Sequence, residues 1–430
     1  MRHVVLSIAV LLLSCRGKDS VDVHPQPVQP TSAPVTAHHE KSPLDPISGR
    51  LTEVDGQRVL QLWGTPHQMG FAHGALLRDA IIEVVEGYAL RVIPAAELDG
   101  LGPIYERVAD IPDALREEAA AIVEGMRSAG GAQIAGLERE LTGTDLLVLN
   151  AMTDLRAIGC SSLSAWGPAT ADDETLQGQA AIVRNLDWST EEALLANQVV
   201  ITYAPRDPER QRVVSVAFAG YLGCLSCINE AGVVASFNMG YGSGAASRTR
   251  ALTGFAPANL MLRDALERGD VDQDGAVTAA DVEAAVRSKT HAGSYIVHLV
   301  EPTTVAEADE RAAARVLEVE ADGVVTRWPG DRLGDHLLAA TNHLREKTRP
   351  KTCSRYDQIV TTVEEGSGSM DREALWTLGA RLRLSDVVHT MVLEPSPRRL
   401  TLWLRRPGES AGSQRAPVVH EWTTLFSSSS

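Results

Sequence analysis

The chain has 430 residues, 44% of them hydrophobic, and a formal net charge of -16. That length and apolar content suffice for one large packed domain or two ordinary ones. The acidic balance argues against a nucleic-acid partner, because phosphate binding needs a basic surface.

Arg2 and His3 precede a short apolar run, Val4 to Leu13, which ends at Leu-Leu-Ser-Cys (Leu12 to Cys15). A membrane-spanning helix needs about 20 apolar residues, so this run has the shape of a secretory signal instead. The small residue before Cys15 resembles a bacterial lipobox, whose cysteine is lipidated and becomes the mature N-terminus. Residues 1–15 are therefore expected to be a lipoprotein signal peptide; the alternative is a plain signal with an incidental cysteine. Residues 16–50 hold Pro25, Pro27, Pro30, Pro34, Pro43 and Pro46 among small polar residues, a composition that cannot bury a core. They are expected to form a disordered linker between a lipid anchor and the folded body. Such a protein would be an exported cell-envelope lipoprotein, periplasmic or at the surface. With Cys15 set aside, Cys160, Cys224, Cys227 and Cys353 remain, too few in so long a chain for a disulfide scaffold.

From Leu51 the sequence is dense in apolar residues. Strand-like stretches lead to the Gly64-Thr65-Pro66 punctuation. A helix is predicted from His67 to about Val92, with Ala75, Leu76, Ala80, Ile81, Val84 and Val85 at helical spacing. Pro112-Asp113 opens a second helix that Gly130-Gly131 ends. An apolar segment, Leu146 to Ile158, then runs into Gly159-Cys160. Beyond it short strands dominate: Ser162–Trp166, Ala180–Trp188, Gln198–Tyr203, Arg212–Phe218, Gly232–Met239 and Ser294–Val300. Arg315–Val319 pairs with Val324–Trp328 across Ala321-Asp322-Gly323, and Val387–Leu393 with Leu400–Arg405 across Pro395-Ser396-Pro397. One helical island, residues 259–287, interrupts the strands. Helices followed by many strands predict an α+β fold with helices packed on antiparallel sheets. The chain is divided as 51–159, an N-terminal segment; 160–410, a core; and 411–430, a tail that ends disordered at Ser427 to Ser430.

Two segments stand out, Gly159-Cys160-Ser161-Ser162-Leu163-Ser164-Ala165-Trp166-Gly167 and Val183-Arg184-Asn185-Leu186-Asp187-Trp188. Together with Gly64-Thr65-Pro66-His67-Gln68-Met69-Gly70-Phe71-Ala72-His73-Gly74, they resemble the acyl-coenzyme A:6-aminopenicillanic acid acyltransferase family. That family belongs to the N-terminal nucleophile hydrolases, beside penicillin V acylases and bile salt hydrolases. The likeness runs on through Ile228 to Asn238, Thr341-Asn342-His343, Ser354-Arg355-Tyr356 and the final strand pair. It implies a four-layer αββα sandwich and self-cleavage between Gly159 and Cys160, with residues 51–159 in the smaller product.

The residue chemistry stands beside that resemblance. A thiol is a strong nucleophile only as thiolate. Freed at an N-terminus, Cys160 would carry its own α-amine, whose unperturbed pKa of about 7.7–8.0 suits a base near neutral pH. The flexible Gly159 would let the peptide bend so that sulfur can attack the preceding carbonyl. Arg184 and Asp187 lie three apart on one strand, which puts them on opposite faces unless the strand bulges. The resemblance implies that Arg184 stabilises the thiolate, that Asp187 orients the α-amine, that Asn238 donates to the oxyanion, and that the late Arg355 lies beside the nucleophile. Asn185, Asn342 and His343 are assigned no role. Cys224 and Cys227 form a Cys-x-x-Cys pair with no second ligand pair for zinc and no thioredoxin-like surroundings. Buried thiols, or a disulfide involving Cys353, are expected there.

Inside the helical island, Asp270, Asp272 and Asp274 occupy positions 1, 3 and 5 of an EF-hand loop. Gly275 sits at the sharp turn, the Ala276 carbonyl at position 7, Thr278 at 9 and Asp281, in place of glutamate, at 12. A structural calcium ion is expected there; the catalytic chemistry itself calls for no cofactor. The functional expectation is an amidase or acylase acting on a small acylated substrate through an acyl-Cys160 intermediate. The alternatives are a phospholipase B-like esterase, or a calcium-binding surface lipoprotein without catalysis.

Overall fold

The computed structural model describes residues 47–151, 159–241, 254–303, 312–347 and 353–427, all within the unit Pro46–Ser430. The expected signal peptide and most of the linker lie outside the described residues. The first strand begins at Gly49 rather than after 50: β1 (Gly49–Val54) turns tightly into β2 (Gln57–Gly64). Thr65 and Gln68 then form a reciprocal capping box, with Pro66 in the first turn, so the helix Pro66–Val84 starts where the sequence punctuates it. A π-helical turn at Val85–Ala89 and a short turn to Val92 complete the predicted stretch. The helix Asp113–Ser128 packs along the first so closely that a Cβ on Gly74 would overlap the Ile122 carbonyl. Between them lies Ala95–Val108, a helix that the sequence reading passed over.

A two-stranded ribbon, β3 (Gln133–Ile134) with β4 (Arg139–Glu140), precedes the helix Gly143–Asn150. The main strands follow: β5 (Cys160–Ala165), β6 (Ala181–Asp187), β7 (Gln198–Pro205), β8 (Val213–Phe218), β9 (Ser226–Asn229) and β10 (Val234–Met239). After the helices Ala258–Arg268 and Ala279–Arg287 come β11 (Tyr295–Val300), β12 (Ala314–Glu320), β13 (Gly323–Arg327) and β14 (Leu337–Ala340). The helices Ser354–Glu365 and Arg372–Arg381 lead to β15 (Val387–Glu394), β16 (Arg399–Leu404) and β17 (Val418–His420). Nine strands form one sheet, β1-β2-β7-β8-β9-β10-β11-β12-β13, antiparallel except for the β2–β7 pair; six form the other, β14-β5-β6-β15-β16-β17.

Three apolar layers bind these sheets into the expected α+β arrangement. Val200, Val216, Ile228 and Ile296 of the larger sheet meet Ile182, Met391, Leu393 and Leu402 of the smaller one. The outer face of the larger sheet packs on the helices 66–84, 113–128 and 258–268, while that of the smaller packs on 354–365 and 372–381. Helix, sheet, sheet, helix is the layering the resemblance implied.

The 411–430 tail is a correction. β17 pairs with β16, and Trp422, Leu425 and Phe426 fill the space between the sheets. The serine-rich end and polar run before it disguise these few apolar residues, which are enough to anchor a short edge strand. Ser428 to Ser430 lie outside the described residues.

Candidate active site

β5 enters the smaller sheet with Cys160 as its first residue, buried and paired across from Leu186 of β6. Two serines further along the strand fix its depth. Ser162 Oγ and Ser164 Oγ lie 2.8 and 2.9 Å from the two ring nitrogens of His298 on β11, in the opposite sheet. Burial lowers the His298 pKa to about 3, so the imidazole bridging the sheets is neutral.

The groups gathered around Cys160 come from three strands and a helix. Arg184 Nη2 approaches Cys160 Sγ at 3.7 Å, and the same nitrogen donates to the Phe237 carbonyl, which lies 3.7 Å from that sulfur. Arg184 Nη1 donates to Asn238 Oδ1, and Nε donates to Ser226 Oγ at 2.6 Å. Arg184 has no exposure at all, yet no carboxylate lies within ion-pairing distance of it among the described residues. Strand alternation places Arg184 and Asp187 as expected, on opposite faces. Arg184 points to the larger sheet, whereas Asp187 pairs with Arg355 at the start of the helix Ser354–Glu365. They share one site because Cys160, opposite Leu186, sits between them at the strand's end.

Burial pushes the Cys160 thiol above its ordinary value, and the Arg184 guanidinium pulls against that shift. Burial likewise lowers Arg184, opposed by the nearby sulfur. Burial outweighs the cation in the direction of that shift. Burial also raises the Asp187 carboxyl to about 6, with Arg355 pulling it back. Asp187 Oδ1 is buried without a hydrogen-bond partner.

Gly159 has a steric reason besides flexibility. A Cβ there would lie 3.2 Å from Arg355 Nη2 and would run into the Asp187 carboxylate. Its carbonyl oxygen accepts from the Asp187 backbone N–H at 3.0 Å. The residues just before it, 152–158, which include most of the predicted apolar segment, lie outside the described residues.

Two side-chain amides complete these surroundings. The Cys160 backbone N–H donates to Asn342 Oδ1 at 2.9 Å, not to Asp187, while Asn342 Nδ2 donates to the Met239 carbonyl. Asn342, given no role from sequence, thus holds the nitrogen that cleavage would free; its Thr-Asn-His surroundings were the available signal. Asn238 Nδ2 donates to the Thr341 carbonyl at 3.1 Å in this state. Asn185 instead bonds to Gly379 and Thr390 and takes no part in the site. Cys224 and Cys227 form a disulfide with each other, which corrects both expectations for them; Cys160 and Cys353 are free. A bend at Leu225, just before β9 begins, brings the two sulfurs together.

In the acidic loop, one carboxylate oxygen from each of Asp270, Asp272 and Asp274 lies within 4.8 Å of the others. Their oxygens also hold the turn, with Asp274 N and Gly275 N donating to Asp270. Asp281 is buried, and its two oxygens accept from Val271, Asp272 and Thr278 backbone N–H groups, capping the following helix. Thr278 is that helix's N-cap, and Ala276 N donates to Asp274 Oδ1. Three of the six loop positions therefore converge through side chains, while Asp281 is turned to the backbone.

No family model matches the chain. A stretch of 217 residues is 26% identical to a protein of Archaeoglobus fulgidus described only as uncharacterized, covering 43% of this chain and 33% of that one. A stretch of 193 residues is 24% identical to protein dcd1B of Dictyostelium discoideum, covering 39% and 35%. The chain spans about a third of the length of the curated relatives it matches. Among solved structures, it is similar to a Caenorhabditis elegans ortholog of N-acylethanolamine-hydrolyzing acid amidase (TM-score 0.41, 17% identity), over 55% of this chain and 93% of that one. It is also similar to penicillin V acylase from Agrobacterium tumefaciens (TM-score 0.30, 14% identity, 61% and 86%). A conjugated bile acid hydrolase variant from Clostridium perfringens gives TM-score 0.30 and 10% identity, over 60% and 97%. Among the described residues no helix is long and apolar enough to cross a membrane.

Proposed function

We propose that the chain is a self-cleaving cysteine hydrolase whose mature nucleophile is Cys160 and whose substrate is a small acylated amide. The observation that carries this reading is Arg184, a wholly buried cation whose contacts are neutral acceptors and one sulfur. A buried charge without a counter-ion is costly, and a Cys160 thiolate is the anion placed to relieve that cost.

In the first reaction, Sγ attacks the Gly159 carbonyl carbon. Negative charge gathers on the oxygen that already accepts the Asp187 N–H, which stabilises it. The C–N bond breaks as the nitrogen takes up the proton that the thiol gives up, leaving a thioester from Gly159 to Cys160 Sγ. Water then hydrolyses the thioester, giving a Gly159 carboxylate and a free α-amine on Cys160. That amine inherits Asn342 Oδ1 as acceptor, and the Asp187 carboxylate, whose Oδ1 is buried without a partner, is the anion that would hold its ammonium form. In turnover the amine takes the thiol proton, sulfur attacks the acyl carbonyl, and the protonated amine returns its proton to the leaving nitrogen. Water releases the acid from acyl-Cys160.

Hydrolysis rather than transfer from coenzyme A fits an exported protein, which would rarely meet that intracellular donor. An ester would pass through the same acyl-thioester. A lipid anchor at Cys15 belongs to the same proposal.

Intact mass and N-terminal sequencing test the reading on the parent beside Cys160→Ala. Two fragments, one beginning at Cys160, are expected from the parent and one uncut chain from the variant. A parent that turns over substrate while continuous through Gly159–Cys160 overturns it.

A further inference from the structure

The Cys224–Cys227 disulfide has no part in the chemistry above, yet it encloses a residue that touches the site. Ser226 lies inside the four-residue loop that the disulfide closes, and its Oγ accepts from Arg184 Nε at 2.6 Å. The same hydroxyl lies 3.3 Å from His389 Nε2 on β15. Burial and the nearby Arg184 hold His389 well below its ordinary pKa, so its ring is neutral. The Ser226 oxygen turns a lone pair to the guanidinium, and the neutral imidazole lies within hydrogen-bonding distance of the same hydroxyl. A second strut leaves the same loop. The Leu225 carbonyl accepts from Phe237 N at 2.9 Å, and the Phe237 carbonyl is the acceptor shared by Arg184 and the Cys160 thiol. The stapled loop is fixed from behind as well, where Cys224 N donates to the Asn259 carbonyl.

We infer that Ser226, held by the Cys224–Cys227 staple and oriented by His389, is a positioning residue that aims the Arg184 guanidinium at Cys160. This rests on the reading of Cys160 as nucleophile. A long arginine side chain has many rotamers, and a cation placed to stabilise a thiolate acts only if its Nη2 stays on the sulfur. Nε is the atom nearest the pivot, so fixing it fixes the direction of both terminal nitrogens. The staple contributes by limiting the freedom of the Ser226 backbone, as a short covalent loop does.

The test compares the full-length parent with Ser226→Ala, Ser226→Thr and the double variant Cys224→Ala/Cys227→Ala. Self-cleavage is followed by intact mass. Alkylation of Cys160 by iodoacetamide is followed site by site across the pH range in which thiols titrate. Cys353, the other free cysteine among the described residues, is the internal control. Ser226→Ala is expected to raise the midpoint of the Cys160 reactivity curve by about one pH unit, which is about a tenfold loss of thiolate below the midpoint. It should also slow cleavage, with Cys353 unchanged. Ser226→Thr restores the hydroxyl and should return both readouts toward the parent, and the double variant should shift the midpoint in the same direction as Ser226→Ala. A Ser226→Ala profile that coincides with the parent's overturns the inference. So does a uniform loss of rate with an unmoved midpoint that threonine fails to restore. Should Ser226→Ala not fold, a parent-like midpoint in the double variant is the overturning result. A parent that neither cleaves nor shows a reactive Cys160 sinks the functional reading itself, whereas a reactive parent beside an indifferent Ser226→Ala sinks only the role given to Ser226.

Discussion

Replacing Arg184 by methionine asks directly whether a buried cation sustains the nucleophile. The guanidinium is 3.7 Å from Cys160 Sγ. At an effective dielectric of about 20, two unit charges at that distance attract by about 4.5 kcal/mol, or about three pKa units. Burial already raises the thiol, so the variant loses the largest of the influences that oppose that rise. Methionine is apolar, unbranched and adaptable, so it can fill much of the vacated volume. The Ser226 hydroxyl, Asn238 Oδ1 and the Phe237 carbonyl each lose a donor, at about 1–3 kcal/mol per unsatisfied group. Removing an unpaired buried charge offsets part of that cost, so a folded protein of reduced stability is expected. Cleavage measured by intact mass and Cys160 alkylation near pH 7 should both fall on the order of a thousandfold. Arg184→Lys keeps a point charge without the planar fork and should recover part of the loss. A methionine variant that cleaves and alkylates at the parent's rates would refute the role of the cation.

The Asp187 carboxyl, raised to about 6 by burial, should give kcat/KM an acidic limb that falls as pH drops through about 6, because only the ionised form holds the α-ammonium. Asp187→Asn should lower activity and abolish that limb; a parent profile flat through pH 6 would remove Asp187 from the cycle. The same shift has a sign for stability: with a folded pKa above the ordinary 3.8, ionisation costs the fold. In a Cys160→Ala background, stability should therefore decline as pH rises from about 4 through about 6, and Asp187→Asn should flatten the decline in chemical denaturation. Calcium should raise the melting temperature through Asp270, Asp272 and Asp274, and the rise should vanish in Asp270→Ala/Asp274→Ala. A calcium-dependent rise that survives in that variant would move the ion elsewhere.

Local signals were legible where local physics decides. The capping box at Thr65 and Gln68, the glycines that end the second helix, and the period-two strands from β6 onward all rest on neighbours in sequence. The helices Ala95–Val108, Ser354–Glu365 and Arg372–Arg381 were passed over because their apolar residues answer to a sheet or helix far along the chain. The short strands β9, β14 and β17 carry too few residues for a periodic pattern, and they exist because a neighbouring strand offers them a ladder. Trp422 reads as part of a polar tail until β16 and β17 pair and the two sheets close over it.

The amino-acid order by itself determined the chemistry on offer: a Gly159-Cys160 junction, an Arg184 and an Asp187 that alternation sends to opposite faces, and an acidic loop with its turn glycine. Only the tertiary structure decided who meets whom. It set Cys160 at the end of a strand between those faces, brought Asn342 to its nitrogen, and placed Ser226 behind Arg184 inside a disulfide loop. Such contacts join residues as many as 182 positions apart. Hydrogen bonds and burial of that range depend on how two sheets stack, which no window of sequence contains.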